Sequence, residues 1–194
     1  ILFIFYCKVA QKMNFLKSVF KFSWDIIKVA IIALILAGLV RYFLIQPFFV
    51  EGASMEPNFE TGEYLLIDEV SYYFKPVERS EVVVFRYPLD ASKYYIKRVI
   101  GLPEETVEIK NNRVVIYSDE YPDGLALDES YLPKNLITDG QVKKKLGKDE
   151  YFVLGDNRSV SYDSRRWGVL PKNDIVGRVW VRAWPFNRVA IFSY

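Results

Sequence analysis

The chain has 194 residues, with 26 Lys and Arg against 24 Asp and Glu for a formal net charge of +2. That balance gives no electrostatic case for nucleic acid, whose binding needs a clustered basic face. Histidine is absent and Cys7 is the only cysteine, which excludes Ser-His-Asp and Cys-His catalysis, His-ligated or Cys-cluster metal sites, and intramolecular disulfides. No metal or cofactor is expected, and any nucleophile must find a base other than imidazole.

Residues 1–25 read as a short basic tail carrying Lys8, Lys12, Lys17 and Lys21, with Asp25 its one acid. Residues 26–45 form a largely apolar stretch, 20 residues long, with Lys28 and Arg41 near its ends. About 20 apolar residues suffice for a helix to cross a bilayer, and long cations at the ends can snorkel to the headgroups. A buried soluble helix and a cleaved secretory signal are the alternatives, but a signal's apolar core is shorter and precedes small residues. Here Tyr42, Phe43 and Gln46-Pro47-Phe48-Phe49 follow, an aromatic belt at a membrane interface. The excess of lysine before the span puts the N-terminus in the cytoplasm. The expected localisation is the plasma membrane, single-pass, with everything after about residue 46 outside.

Beyond the anchor the chain is predicted to be mainly β. Short runs rich in Val, Ile, Tyr and Phe occur at Tyr64–Asp68, Val82–Phe85, Tyr94–Ile100, Thr106–Ile109, Val114–Tyr117, Tyr151–Leu154, Val176–Trp184 and Val189–Phe192, bounded by Gly, Pro, Asn or Asp. Asn111-Asn112 between two runs suits a tight hairpin. The expected body is an antiparallel, barrel-like sheet built from residues 46–110 and 151–194, with 111–150 as a small inserted β lobe. Lys143-Lys144-Lys145 in that lobe reads as a solvated surface.

Lysine serves as a base only when burial lowers its pKa, by up to about 3–5 units. The signature is a serine in a backbone-tight loop and a lysine inside an apolar strand. Gly52-Ala53-Ser54-Met55-Glu56-Pro57 supplies the first, and Tyr94-Tyr95-Ile96-Lys97-Arg98-Val99-Ile100 the second. Strand alternation sends Lys97 and Arg98 to opposite faces, so one of them can face an apolar interior. Taken singly, a loop serine is usually structural and a strand lysine usually reaches solvent.

The ordered set resembles the bacterial type I signal peptidases, also called leader peptidases. It comprises Gly-Ala-Ser54-Met-Glu-Pro, then Glu81-Val-Val-Val-Phe85, then Tyr95-Ile-Lys97-Arg-Val-Ile-Gly-Leu-Pro103, then Gly155-Asp-Asn-Arg158 with Ser161, Asp163, Ser164 and Arg165. The resemblance runs from about residue 22 to 192. It implies Ser54 as nucleophile, Lys97 as general base and Ser161 as the hydroxyl that holds the amine. It implies the Ser54 N–H as oxyanion donor, with Gly52 where some members carry a serine, and Ala53 beside it. Asp163 and Arg165 correspond to a structural ion pair with Arg98 as neighbour, and Asp156, Asn157 and Arg158 to a framing loop. Phe48, Val50, Met55, Tyr95 and Ile96 correspond to the walls of two shallow pockets. Glu81 stands where the family often has Asp.

The resemblance further implies, as partners, signal peptides of exported preproteins with small residues at the first and third positions before the cut, and the lipid bilayer. A monomer is expected. The rival readings are a self-cleaving Ser/Lys regulator of related fold, against which the anchor argues, and a non-catalytic membrane-tethered binding module. A penicillin-binding type S-x-x-K site is ruled out, because Met-Glu-Pro follows Ser54.

Overall fold

The computed structural model describes residues 21–36, 38, 45–134 and 136–193. Two units follow one another, one ending at Leu44 and one running from Ile45. In the first, residues 21–36 form a helix, α1, whose side chains are all exposed, Phe22, Trp24, Ile32 and Leu34 among them. Among the described residues no helix is long and apolar enough to cross a membrane. The basic tail over residues 1–20 and positions 37 and 39–44 of the expected span lie outside the described residues. Ile45, placed by sequence at the end of the span, opens a strand instead.

The second unit is mainly β, as expected, and antiparallel throughout. Its strands are β1 (Ile45–Phe49), β2 (Tyr64–Asp68), β3 (Val82–Tyr87), β4 (Asp90–Gly101), β5 (Thr106–Lys110), β6 (Arg113–Tyr117), β7 (Leu125–Ala126), β8 (Val142–Lys145), β9 (Glu150–Leu154), β10 (Leu170–Pro171), β11 (Ile175–Trp184) and β12 (Ala190–Ile191). One short helix, α2 (Ser164–Trp167), follows β9. The large sheet runs β1-β2-β11-β3-β4-β9-β10, with β12 on β11; the small one runs β7-β6-β5-β8. Asn111 and Asn112 both take positive φ, 49° and 60°, and close the β5–β6 hairpin as their short polar side chains allow.

Of the strands that the apolar pattern did not suggest, β1 and β8 lie at sheet edges, and their residues show why. β1 contains Pro47, which cannot donate to a ladder, and it lies at the edge of the sheet where that loss is tolerated. β8 is Val142 followed by three lysines, and all three are exposed on the edge of the small sheet beside β5. Lysine on an edge strand also discourages pairing with other chains.

Both faces of the large sheet are covered, which explains the near-continuous apolar run of β3. Val82 and Val84 enter one core cluster with Met55, Phe59, Leu65, Ile67 and Val179. Val83 and Phe85 enter another with Val99, Tyr151, Val153 and Leu170. A third cluster joins Ile100, Phe152 and Leu154 of the large sheet to Val107, Ile109, Val114 and Ile116 of the small one. With both faces covered, alternation no longer exposes either of the adjacent cations on β4: Lys97 and Arg98 are both buried.

Candidate active site

Ser54 sits in the loop that leaves β1. Val50 enters the core, and its N–H bonds the Glu63 carbonyl, so the loop departs from a fixed end. Gly52 then takes φ 93°, a backbone conformation that residues with a Cβ rarely adopt. The space above it is open, since a Cβ there would meet nothing within 4 Å. Met55 and Phe59 anchor the far side of the loop in the core.

Lys97 reaches this loop from β4. Its Nζ lies 2.7 Å from Ser54 Oγ and 2.8 Å from the Ile96 carbonyl, and 5.6 Å from the centre of the Tyr95 ring. The side chain is 4% exposed. Burial pulls its pKa from the usual 10.5 down to about 8, against the carboxylates of Asp163 and Asp156, which act in the opposite direction. An amine that loses its proton near neutral pH and touches a serine hydroxyl can act as a base.

The loop after β9 forms the other wall. Asn157 N–H donates to the Ser54 carbonyl at 3.0 Å. Asp163 accepts from the guanidinium of Arg165 at 2.8 and 2.9 Å and from Gly155 N–H at 3.1 Å, and it caps α2 through the Arg165 N–H. Arg98 donates to Asp156 through two nitrogens, at 2.8 and 2.6 Å. Arg165 thus pairs with Asp163, while Arg98 pairs with Asp156 at the start of the loop. Ser161 is buried in the same loop, and among the described residues its Oγ has no hydrogen-bond partner. The Ser54 N–H donates to no backbone carbonyl among the described residues.

A cavity of about 490 Å³ opens over Ser54 and Lys97. Of the five residues expected in its walls, Phe48, Val50, Tyr95 and Ile96 line it. Met55 is wholly buried in the core cluster behind. Val160 and Tyr162 also line it, flanking buried Ser161. Their signal in sequence was two exposed-type apolar residues in an otherwise polar loop. Among the described residues no group of His, Cys, Asp and Glu could hold a metal ion.

Gly155 earns its place by what it leaves out. A Cβ there would collide with Ser161 Oγ and with the Ser54 carbonyl. Gly155→Ala is therefore expected to displace the Ser54 loop and lower the turnover rate by on the order of 100-fold, with a smaller effect on stability. Steady-state kinetics beside a thermal melt check this; an alanine variant as fast as the parent would count against the close packing.

Residues 23–184 match the family model described as signal peptidase, peptidase S26. The signal peptidase I of Leptolyngbya laminosa is 38% identical over 172 residues, covering 84% of this chain and 80% of that protein. A signal peptidase I of Bacillus amyloliquefaciens is 38% identical over 191 residues, covering 91% of this chain and 95% of its own length. The crystal structure of a signal peptidase I from Enterococcus faecalis V583 aligns at 29% identity, with a TM-score of 0.45, over 54% of this chain and 97% of that one. On the family match and the identities to the Leptolyngbya and Bacillus proteins, this chain belongs to the signal peptidase family, peptidase S26.

Proposed function

We propose that this chain is a serine endopeptidase that removes N-terminal signal peptides from exported preproteins, with Ser54 as nucleophile and Lys97 as general base. The observation that carries the proposal is the 2.7 Å approach of a desolvated lysine amine to a loop serine hydroxyl, at the floor of a cavity. Along that line the Ser54 O–H donates to the neutral amine, and the hydroxyl oxygen attacks the scissile carbonyl. The amine then carries the proton and delivers it to the leaving nitrogen. The tetrahedral oxyanion lies against the Ser54 N–H. The amine, neutral again, activates water for deacylation.

The substrate lies extended against the exposed edge of β1, read through its backbone and its alternate side chains. Phe48, Val50, Tyr95 and Ile96 form the walls that meet small side chains, with Met55 as the packing behind them. Ser161, buried in the same loop with its Oγ unpartnered among the described residues, is the second hydroxyl that the amine recruits as the proton moves. Catalysis takes place outside the plasma membrane, and an anchor over residues 26–45 with a cytoplasmic N-terminus tethers the body there. The body spans 46–110 and 151–194, and the lobe over 111–150 is built onto it; the pairing of β5 with β6 and β8 favours starting the lobe at Thr106.

The test is cleavage of a purified preprotein in detergent by the full chain, with mass spectrometry of the products. A single cut after a small residue is expected. Replacing Ala by Leu at the residue before the cut should lower kcat/KM by on the order of 100-fold, since a shallow pocket cannot take the extra atoms. Equal rates for the two would sink the small-pocket assignment.

A further inference from the structure

Two residues outside the motifs tie the nucleophile loop to the rest of the site. Asn58, four residues beyond Ser54, donates through Nδ2 to Asp156 Oδ2 at 2.8 Å and to the Tyr131 carbonyl at 3.0 Å. Ser54 itself accepts from Asn157 N–H at 3.0 Å. Both ends of the Ser54–Asn58 loop are therefore bonded to the Asp156-Asn157 dipeptide, forming a closed ring.

Tyr131 locks that ring from the side of the small sheet. Its ring covers the Arg98 guanidinium, 4.1 Å from centroid to Cζ, and Arg98 is the bidentate partner of Asp156. Its hydroxyl accepts from Arg158 at 3.1 Å, and Arg158 also holds the Gly155 carbonyl at 3.0 Å, Thr138 and Glu129. Glu129, Tyr131 and Thr138 thus hold Arg158, which grips the Gly155 carbonyl, while the Tyr131 ring and carbonyl hold Arg98 and Asn58, each a partner of Asp156. Neither Asn58 nor Tyr131 lines the cavity.

We infer that Asn58 and Tyr131 are positioning residues, which hold the nucleophile loop in register with β4 so that Ser54 Oγ stays within reach of Lys97. This rests on the proposed roles of Ser54 and Lys97. Because neither residue touches the cavity, their loss acts on turnover and leaves substrate affinity in place. Removing Asn58 leaves the loop folded, since Arg182 still donates to the Asn58 carbonyl at 2.8 Å and Met55 and Phe59 stay in the core. Asp156 is one of the two carboxylates that bear on Lys97, so a new charge at Asn58 is felt at the amine.

The experiment measures kcat, KM and the rate of Ser54 acylation by an activated-ester probe, whose alcohol leaves as the acyl-enzyme forms, for the full chain and its variants. Asn58→Ala and Tyr131→Ala are each expected to lower kcat and the acylation rate by on the order of 10- to 100-fold with KM changed less than about 3-fold. The double variant falls little below the worse single one, since the two act through one clasp. Tyr131→Phe, which keeps the ring over Arg98, restores most of the rate. Asn58→Asp moves the acid limb of the pH profile upward. Variants with parental kcat and acylation rate, additive losses, or losses matched by a rise in the unfolded fraction would overturn the inference. If the preprotein resists cleavage while acylation still slows in Asn58→Ala, the substrate assignment fails and the positioning role stands.

Discussion

Ser54→Ala and Lys97→Ala should each reduce preprotein cleavage by about 10⁴-fold or more, and the double variant should be no slower than either. The reason is geometric. Among the described residues the hydroxyl has one basic atom within hydrogen-bond reach, the Lys97 amine at 2.7 Å, and the chain contains no histidine to replace it. The serine is weak without a base, and the base has no task without the serine, so either loss removes the same step. Ser54 is half-buried in a loop, and losing its hydroxyl costs little packing. Lys97→Met retains most of the buried aliphatic volume and serves as the folded control for Lys97→Ala. Labelling by a serine-directed probe should vanish in Ser54→Ala. A variant at either position retaining a tenth of parental activity would mean that another base or nucleophile is at work.

The second large effect is on pH. Lys97 works only as the neutral amine, and its pKa is lowered to about 8 by burial. Below that value kcat/KM should fall about tenfold per pH unit, so the rate at pH 6 is on the order of 100-fold below that at pH 8.5. Stability follows the same titration with a definite sign. The folded state releases the proton near 8 and the unfolded chain near 10.5, so between those values the unfolded state binds more protons and stability rises with pH. The full rise is about 3 kcal/mol, at roughly 1.4 kcal/mol per pKa unit. Below 8 both states are charged and the folded state bears the cost of a buried ammonium. Lys97→Met should therefore be more stable than the parent at pH 7, and the difference should shrink between pH 8 and 10.5. Urea melts of both proteins at pH 7 and pH 10 measure this. A difference that stays constant, or a cleavage limb centred near 10, would show that the amine is solvated and ordinary.

Arg98 and Asp156 illustrate a different balance. Asp156 is fully buried and Arg98 nearly so, joined by two short hydrogen bonds. Such a pair adds little net stability over an apolar pair, but leaving one partner alone is costly. Its value here is directional, because a bidentate fork fixes the carboxylate that Asn58 also grips.

Much of this was legible in the residues themselves. Local pattern placed β2 at Tyr64–Asp68 and put strands over most of β3, β4, β5, β6, β9 and β11, because period-2 apolar runs and turn residues act over a few positions. The absence of histidine, together with Ser54 in a glycine-punctuated loop and Lys97 in an apolar strand, pointed toward a Ser/Lys arrangement, and the resemblance to type I signal peptidases supplied the individual roles. β1, β7, β8 and β10 were not legible: β7 and β10 have two residues each, β8 is three lysines after one valine, β1 carries Pro47, and each takes its strand character from a neighbour in the ladder. Only the tertiary structure decided that Lys97 and Arg98 are both buried, for that depends on which faces of the sheet are covered. It alone joined Asn58, Tyr131 and Asp156, residues 73 and 98 positions apart along the chain. Sequence carries the chemistry of each group, but the water that surrounds or deserts a group is set by distant segments folding over it, and a lysine becomes a base only where that water has gone.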